Sequence, residues 1–427
     1  MLYYFLHVDL RVTKNFILNF SFTIAKRIAF NRKKSFSRFI IRLSIAATAV
    51  SVAAMIVTIS FVNGFQKTIA EKVFSFWGHI RVQQYEAGKS LIAEESPIKR
   101  NDTVEYILQH QPAVKRVQIF ATKSGVIEKN KAIEGILFKG IDKQYDSTQL
   151  KQFIQQGRWI NFNDSLYSKE IILPLPIALA LKIKVNDTIT IYFISPTQET
   201  ANYRKLIVAG IYKTGIEEYD KLFAIGDIRL IRRLSDWQPN EIGGYEVFLN
   251  NYTQLDTINK QLLKQLPNIW LSESIKDVYP NIFDWLNVQD VNRNVIFIIM
   301  SVVAIINLIT CLLILVLERT RMVGILKSIG TNNSTLQKIF LYQATFIAII
   351  GVLIGLIGGL LLCWLQQYFG LLKLDESNYY VSIAPVQIVW WQVLLICLVT
   401  SIVCFISLII PTILIKNIQP VKAIQFR

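Results

Sequence analysis

Four nearly unbroken apolar blocks punctuate a chain of otherwise mixed character. They cover residues 39–64, 295–317, 344–365 and 388–415, each long enough for the ~20-residue helix that crosses a bilayer. Residues 65–294 are too polar to span and have the length of a domain. Inside this insertion, period-two alternation predicts strands at His79–Gln83, Val114–Ala121, Thr188–Ile194, Lys205–Ile211 and Tyr245–Leu249. Helical spacing marks Pro176–Leu181, Asp227–Leu234 and Thr253–Leu266. It also extends the first block through Phe65–Trp77 and leads into the second through Ser274–Arg293, which predicts two stalk helices. The fold class is therefore membrane α-helical, with four transmembrane helices and a large extracytoplasmic α+β domain inserted between helices 1 and 2.

Composition agrees. Of 427 residues, 52% are apolar and 18% charged, against roughly 25% charged in soluble proteins. With mean hydropathy at +0.38, disordered and collagen-like chains are excluded, and the balance weighs against a plain soluble enzyme. The +16 net charge is unevenly spread. Residues 65–293 nearly balance, with 29 Lys+Arg against 26 Asp+Glu. The excess lies in residues 1–38, in the 318–343 loop (Arg319, Arg321, Lys327, Lys338) and in the 416–427 tail (Lys416, Lys422, Arg427). The 366–387 loop sets Lys373 against Asp375 and Glu376. Basic short segments stay cytoplasmic, so both termini and the 318–343 loop are expected inside. The charge then reports topology and anionic lipid, not nucleic acid. Asn15–Phe30 reads as an amphipathic helix lying on the inner membrane surface, with Phe16, Phe20, Ile24 and Ile28 near one face.

Candidate chemistry is sparse. His7, His79 and His110 are scattered, and no HExxH, GxSxG or GxGxxG motif occurs. Gly88-Lys89-Ser90 lacks the glycine a phosphate loop needs where Gln83 stands. Cys311, Cys363, Cys397 and Cys404 all sit within the apolar blocks, without zinc spacing or a disulfide framework. Glu217, Glu218 and Asp220 read as a solvated face. No catalytic residue, metal site or bound cofactor is expected.

In the 318–343 loop, Val323, Leu326 and Ile329, with Ile325, predict a short amphipathic helix ended by Gly330. Arg321, Lys327 and Ser328 lie off that stripe, and Ser334 with Gln337 reads as a capping box opening the next helix. Such a helix either docks into a groove of a cytoplasmic partner or simply connects two spans at the surface.

Arg319, Thr320, Val323, Gly324, Ile325, Leu326, Lys327, Ser328, Ile329 and Gly330 match R-T-x-x-[IV]-G-[IL]-L-[KR]-[AS]-[IL]-G. This inner-loop pattern resembles that of the four-span permeases of the MacB/FtsX-like ABC transporter superfamily, many of which carry an acid where Met322 stands. Val62, Asn63, Gly64, Phe65 and Gln66, followed by His79-Ile80, resemble the lipoprotein-releasing permeases of the LolC/LolE type. So does the Tyr379–Ile388 segment, while Pro420-Val421-Lys422-Ala423-Ile424 resembles the superfamily's closing signature.

This resemblance implies a permease subunit in the bacterial inner membrane. It would pair with a second protomer, identical or related, and with a dimer of a separate cytoplasmic ABC ATPase that holds the ATP and Mg. Residues 319–330 would couple to that ATPase, and the outer domains would move to extract a lipoprotein for a periplasmic carrier. Ser44, Ala47, Ser51 and Ala54, with Asn63 and Phe65, would line a lipid-facing cavity by analogy, although the small-residue stripe equally fits close helix packing. Gly351, Gly355 and Gly359 read as packing. A carrier hook would fall at Ser195, Pro196, Thr197 and Gln198, in a segment short for that purpose. The rival readings are a related permease serving efflux or a cell-wall hydrolase, and a membrane-anchored binding or sensor protein with no ATPase.

Overall fold

The computed structural model describes residues 36–412 apart from 87, 89–91, 130, 165 and 195–201. The surface helix expected at Asn15–Phe30, Lys89-Ser90, the Ser195–Gln198 segment and the closing Pro420–Ile424 signature lie outside the described residues. The chain divides into a membrane unit (residues 1–65, 287–373 and 383–427) and an inserted unit (residues 66–286 and 374–382).

Among the described residues, four helices are long and apolar enough to cross a membrane. The first, Phe36–Trp77, has 42 residues, and the second, Pro280–Glu318, has 39. At 1.5 Å per residue they measure about 63 and 58 Å, twice the ~30 Å hydrocarbon core. Phe65–Trp77 is thus helical, as expected. The second stalk starts later than the pattern suggested. Ser274 instead caps a four-residue helix, Ile275–Val278, and the long helix opens at Pro280, where proline's missing N–H is no loss. The third helix, Asn333–Phe369, takes in the latter part of the 318–343 loop, and the fourth covers Trp390–Thr412.

Glycines seat the third span against the first. A Cβ on Gly355 would lie 2.6 Å from the Ala49 carbonyl oxygen, and one on Gly351 2.8 Å from Thr48 Cβ. Small residues at four-residue spacing let two backbones meet where no hydrophobic effect drives helices together. Ser44 is buried and faces the second span: its Oγ donates to Asn307 Oδ1 at 3.3 Å, and Asn307 Nδ2 donates to the Ser44 carbonyl at 3.2 Å. All four cysteines are free.

The inserted unit is built on a ten-stranded sheet. Its strands are β1 (Ile80–Gln84), β2 (Val114–Lys129), β3 (Ala132–Ile141), β4 (Ile154–Gly157), β5 (Glu170–Pro174), β6 (Thr188–Phe193), β7 (Asn202–Tyr212), β8 (Phe223–Asp227), β9 (Gly244–Leu249) and β10 (Trp270–Ser274). The order is β10-β1-β9-β2-β3-β8-β5-β7-β4, with β6 pairing both β2 and β7. β2 runs on to Lys129, well past Ala121, because its first half pairs with β9 while its second half pairs with β3 and β6. Among the described residues, only β3–β8 and β5–β7 pair in parallel. Alternate residues Ile189, Ile191 and Phe193 of β6 turn into the core beside Ile171 and Leu173 of β5 and Phe138 of β3.

A polar knot lies inside this apolar setting. Lys139 and Glu246 are both fully buried, with Nζ 2.6 Å from Oε1. Lys139 also donates to the carbonyl of Phe76 in the last turn of the first long helix, and its ammonium sits 4.1 Å from the Trp77 ring centroid. Tyr145 Oη donates to Glu246 Oε2 at 2.8 Å. Nothing in the local sequence pattern marks this knot, because charges at alternating positions normally belong to a wet face.

Candidate functional site

The inner-loop helix spans Thr320–Ser328 and is separated from the second long helix by the single non-helical residue Arg319. Its C-terminus closes as a full Schellman motif. Gly330 (φ +93) donates to the Lys327 carbonyl at 3.0 Å, and Thr331 N–H donates to the Leu326 carbonyl at 3.0 Å. An L-residue is strained at that φ, so glycine here is a backbone requirement. The start of the next helix differs from the expected capping box. Asn332 is the N-cap residue and makes no side-chain cap bond, leaving Ser334 inside the helix.

The expected single apolar stripe divides in two. Val323 and Gly324 are buried, with Met322 and Leu326 packed against the core that holds Leu312, Leu336, Phe340 and Leu408. Ile325 and Ile329, 45% and 77% exposed, point away with Arg321 and Ser328, while Lys327 is half-buried. The helix therefore has an anchored side and a free apolar edge rimmed by polar groups. Burial of Val323 against the span helices separates residues that look equivalent in the sequence.

At the other end of the spans, two motifs far apart in the chain interlock. Asn63 Nδ2 donates to Gln392 Oε1 at 2.5 Å, and Gln387 N–H donates to the Ser60 carbonyl at 2.9 Å. A Cβ on Gly64 would fall 2.2 Å from the Pro385 carbonyl oxygen. Phe65, the next residue, is half-buried. Gln366 staples the loop shut, donating to the Ala384 carbonyl at 3.1 Å and accepting from Leu372 N–H at 2.9 Å. Within the inserted unit, residues 374–382 are held by Lys72, which donates to the Tyr380 carbonyl at 2.8 Å, and by the Lys213–Glu376 ion pair.

The candidate cavity residues all lie on the first long helix, where Asn63 and Phe65 are half-buried. Ser44 and Ser51 are buried, and Ala47 and Ala54 are half-buried. Asp220 leaves its expected place on a wet face. It is buried, and its carboxylate accepts from Thr214 N–H, Thr214 Oγ1 and Gly215 N–H, each at 2.9 Å, so it shapes the turn that follows β7.

His79 stacks on Phe74 at 4.2 Å, and its Nδ1 accepts from Leu249 N–H at 3.1 Å. Burial, with Arg116 and Lys115 nearby, pushes it down to about 4. The unfolded chain therefore binds a proton near pH 6.5 that the folded one refuses until about pH 4. Stability is lost as pH falls through that window, by of order 3 kcal/mol at ~1.4 kcal/mol per unit. Thermal unfolding followed from pH 7 to 4.5 should show this slope, and His79→Gln should flatten it.

Family comparisons extend these observations. The MacB-like periplasmic core domain matches residues 43–264, and the FtsX-like permease C-terminal family matches residues 294–420. The LolC transmembrane protein of a lipoprotein-releasing system in Xylella fastidiosa is 22% identical, covering 92% of this chain and 96% of its own. The LolE protein of Haemophilus influenzae is 20% identical over 96% of this chain and all of its own. Among solved structures, the periplasmic region of MacB from Actinobacillus actinomycetemcomitans covers 48% of this chain and 91% of its own, at TM-score 0.33 and 14% identity. The chain belongs to the MacB/FtsX-like permease superfamily and is of its LolC/LolE type.

Proposed function

We propose that this chain is the non-catalytic membrane subunit of an ABC transporter of the bacterial inner membrane, with both termini cytoplasmic. A separate ATPase dimer would supply ATP hydrolysis, and lipoproteins would be the cargo drawn from the outer leaflet. The observation that carries the proposal is the Thr320–Ser328 helix, anchored through Val323 and capped at Gly330, with Ile325 and Ile329 left exposed at the end of a 39-residue helix. Closure of an ATPase pair against that edge would act on the membrane end of the second helix. With Ser44 and Ser51 turned inward, acyl chains would instead meet exposed apolar side chains of the first two helices, such as Leu43, Val50, Ile298 and Val302.

The test is a mild-detergent pull-down of tagged full-length protein with partners identified by mass spectrometry. Ile329→Asp should lower ATPase recovery at least tenfold, since an exposed edge can accept a charge without unfolding. Retained ATPase would remove the docking assignment. Recovery of an adaptor or hydrolase in place of acylated proteins would replace the cargo, and absence of any ATPase from the wild type would end the transporter reading.

A further inference from the structure

A polar cleft of about 180 Å³ opens in the inserted unit, between the Asp102–Gln109 helix, β2 and the loop after β3. Its helix is well fixed: Asn101 Oδ1 accepts from Thr103 N–H at 3.0 Å and Val104 N–H at 3.1 Å, a side-chain N-cap.

The charged groups lining the cleft already have partners of their own. Arg100 holds Glu105 with two parallel bonds of 2.8 and 2.9 Å, and Tyr245 Oη donates to the same carboxylate at 3.0 Å. Asp142 accepts from the backbone N–H groups of Gln144 and Tyr145 and lies in the field of Arg232 and Arg100. Tyr145 spends its hydroxyl proton on Glu246. What the lining holds beyond these charges is carboxamide. Gln118, on β2 opposite Glu246, is 7% exposed, and its Oε1 has no hydrogen-bond partner. A buried acceptor left unmade costs about 1–3 kcal/mol. Gln109 and Gln144 add two further amides to the lining.

We propose that this cleft binds one neutral, hydroxyl-rich group of saccharide type. An orphaned acceptor calls for an O–H or N–H donor, and carboxamides, which both donate and accept, pair naturally with hydroxyls that do the same. Arg100 is taken up by Glu105 and leaves no anchor for an anion, and burial holds the Asp142 carboxyl above its ordinary range, toward the neutral form that suits a hydroxyl better than a cation. The volume is below the 300–1,000 Å³ typical of drug-sized ligands, so one ring fits and an extended peptide does not. The occupant would touch Tyr145, which is joined through Glu246 and Lys139 to the last turn of the first long helix.

The experiment uses full-length protein in lipid nanodiscs, because alkyl-glycoside detergents carry the ligand class under test. Saturation-transfer NMR with N-acetylglucosamine and with glucose should give a saturable signal for at least one of them. Gln118→Leu should weaken that binding at least tenfold, and Gln109→Ala, on an exposed helix position, should weaken it without disturbing the fold. The same sugar should raise the melting temperature of wild type and leave that of Gln118→Leu unmoved. Inorganic phosphate and free lysine should not compete. No saturable signal from the wild type, unchanged affinity in both variants, or displacement by phosphate or lysine would overturn the assignment.

Discussion

Lys139→Met should destabilise the inserted unit by about 3–5 kcal/mol, because it strands a fully buried Glu246 carboxylate without its cation. It also frees the Phe76 carbonyl that Lys139 ties down and removes the ammonium stacked on Trp77. Denaturant titration of the full chain, read by tryptophan fluorescence, measures the loss. The double variant Lys139→Met/Glu246→Leu should recover most of it, since an apolar pair of similar volume removes both desolvation penalties. A double variant as unstable as the single one would show that the knot matters through its other bonds.

Titration provides a second view of the knot. Burial outweighs the attraction of Glu246 and pushes the Lys139 ammonium down to about 8. Between about pH 8 and the ordinary lysine range, the unfolded chain holds a proton that the folded one has released. The Lys139 contribution to stability therefore rises with pH across that window. Lys139→Met should abolish this component of the pH profile.

Gly64→Ala should separate the end of the first span from the loop joining the third and fourth. The added methyl would stand 2.2 Å from the Pro385 carbonyl oxygen and 2.9 Å from Val386 N, both backbone atoms with no side-chain freedom to yield. Overpacking of this kind costs about 1–3 kcal/mol or more, and the strain falls on a short loop. We expect faster trypsin cleavage at Lys373, loss of transport, and an unchanged unfolding midpoint for the inserted unit. Gly358→Ala is the matched control. Nothing lies within 4 Å of its added Cβ, and alanine favours a helix by up to about 1 kcal/mol. Equal trypsin sensitivity in both variants would refute the interlock.

The spans and the mixed class of the insertion were readable because each rests on a local rule. Twenty apolar residues have no stable place but lipid or a core, and alternation follows from one-sided burial of a strand. Gly330 was legible for the same reason, since a helix end that needs positive φ selects glycine. The inner-loop stripe was half legible: spacing put Val323, Leu326, Ile325 and Ile329 on a short helix, but not which of them the spans would cover.

Tertiary structure alone decided the rest. Tyr145 and Glu246 stand 101 residues apart, and no periodicity tells a buried charge with a partner from a wet one. Gly64 and Pro385 meet only because the fold brings the first helix against the loop joining the third and fourth, and Gln118 Oε1 is left without a hydrogen-bond partner only because the fold buries it. In one dimension the stripe of Ser44 and Ser51 fits a cavity lining or close packing alike, and only the fold pairs Ser44 with Asn307. Patterning records which side of an element avoids water. Which side chain answers a buried charge or an unpaired amide depends on contacts between elements far apart in the chain.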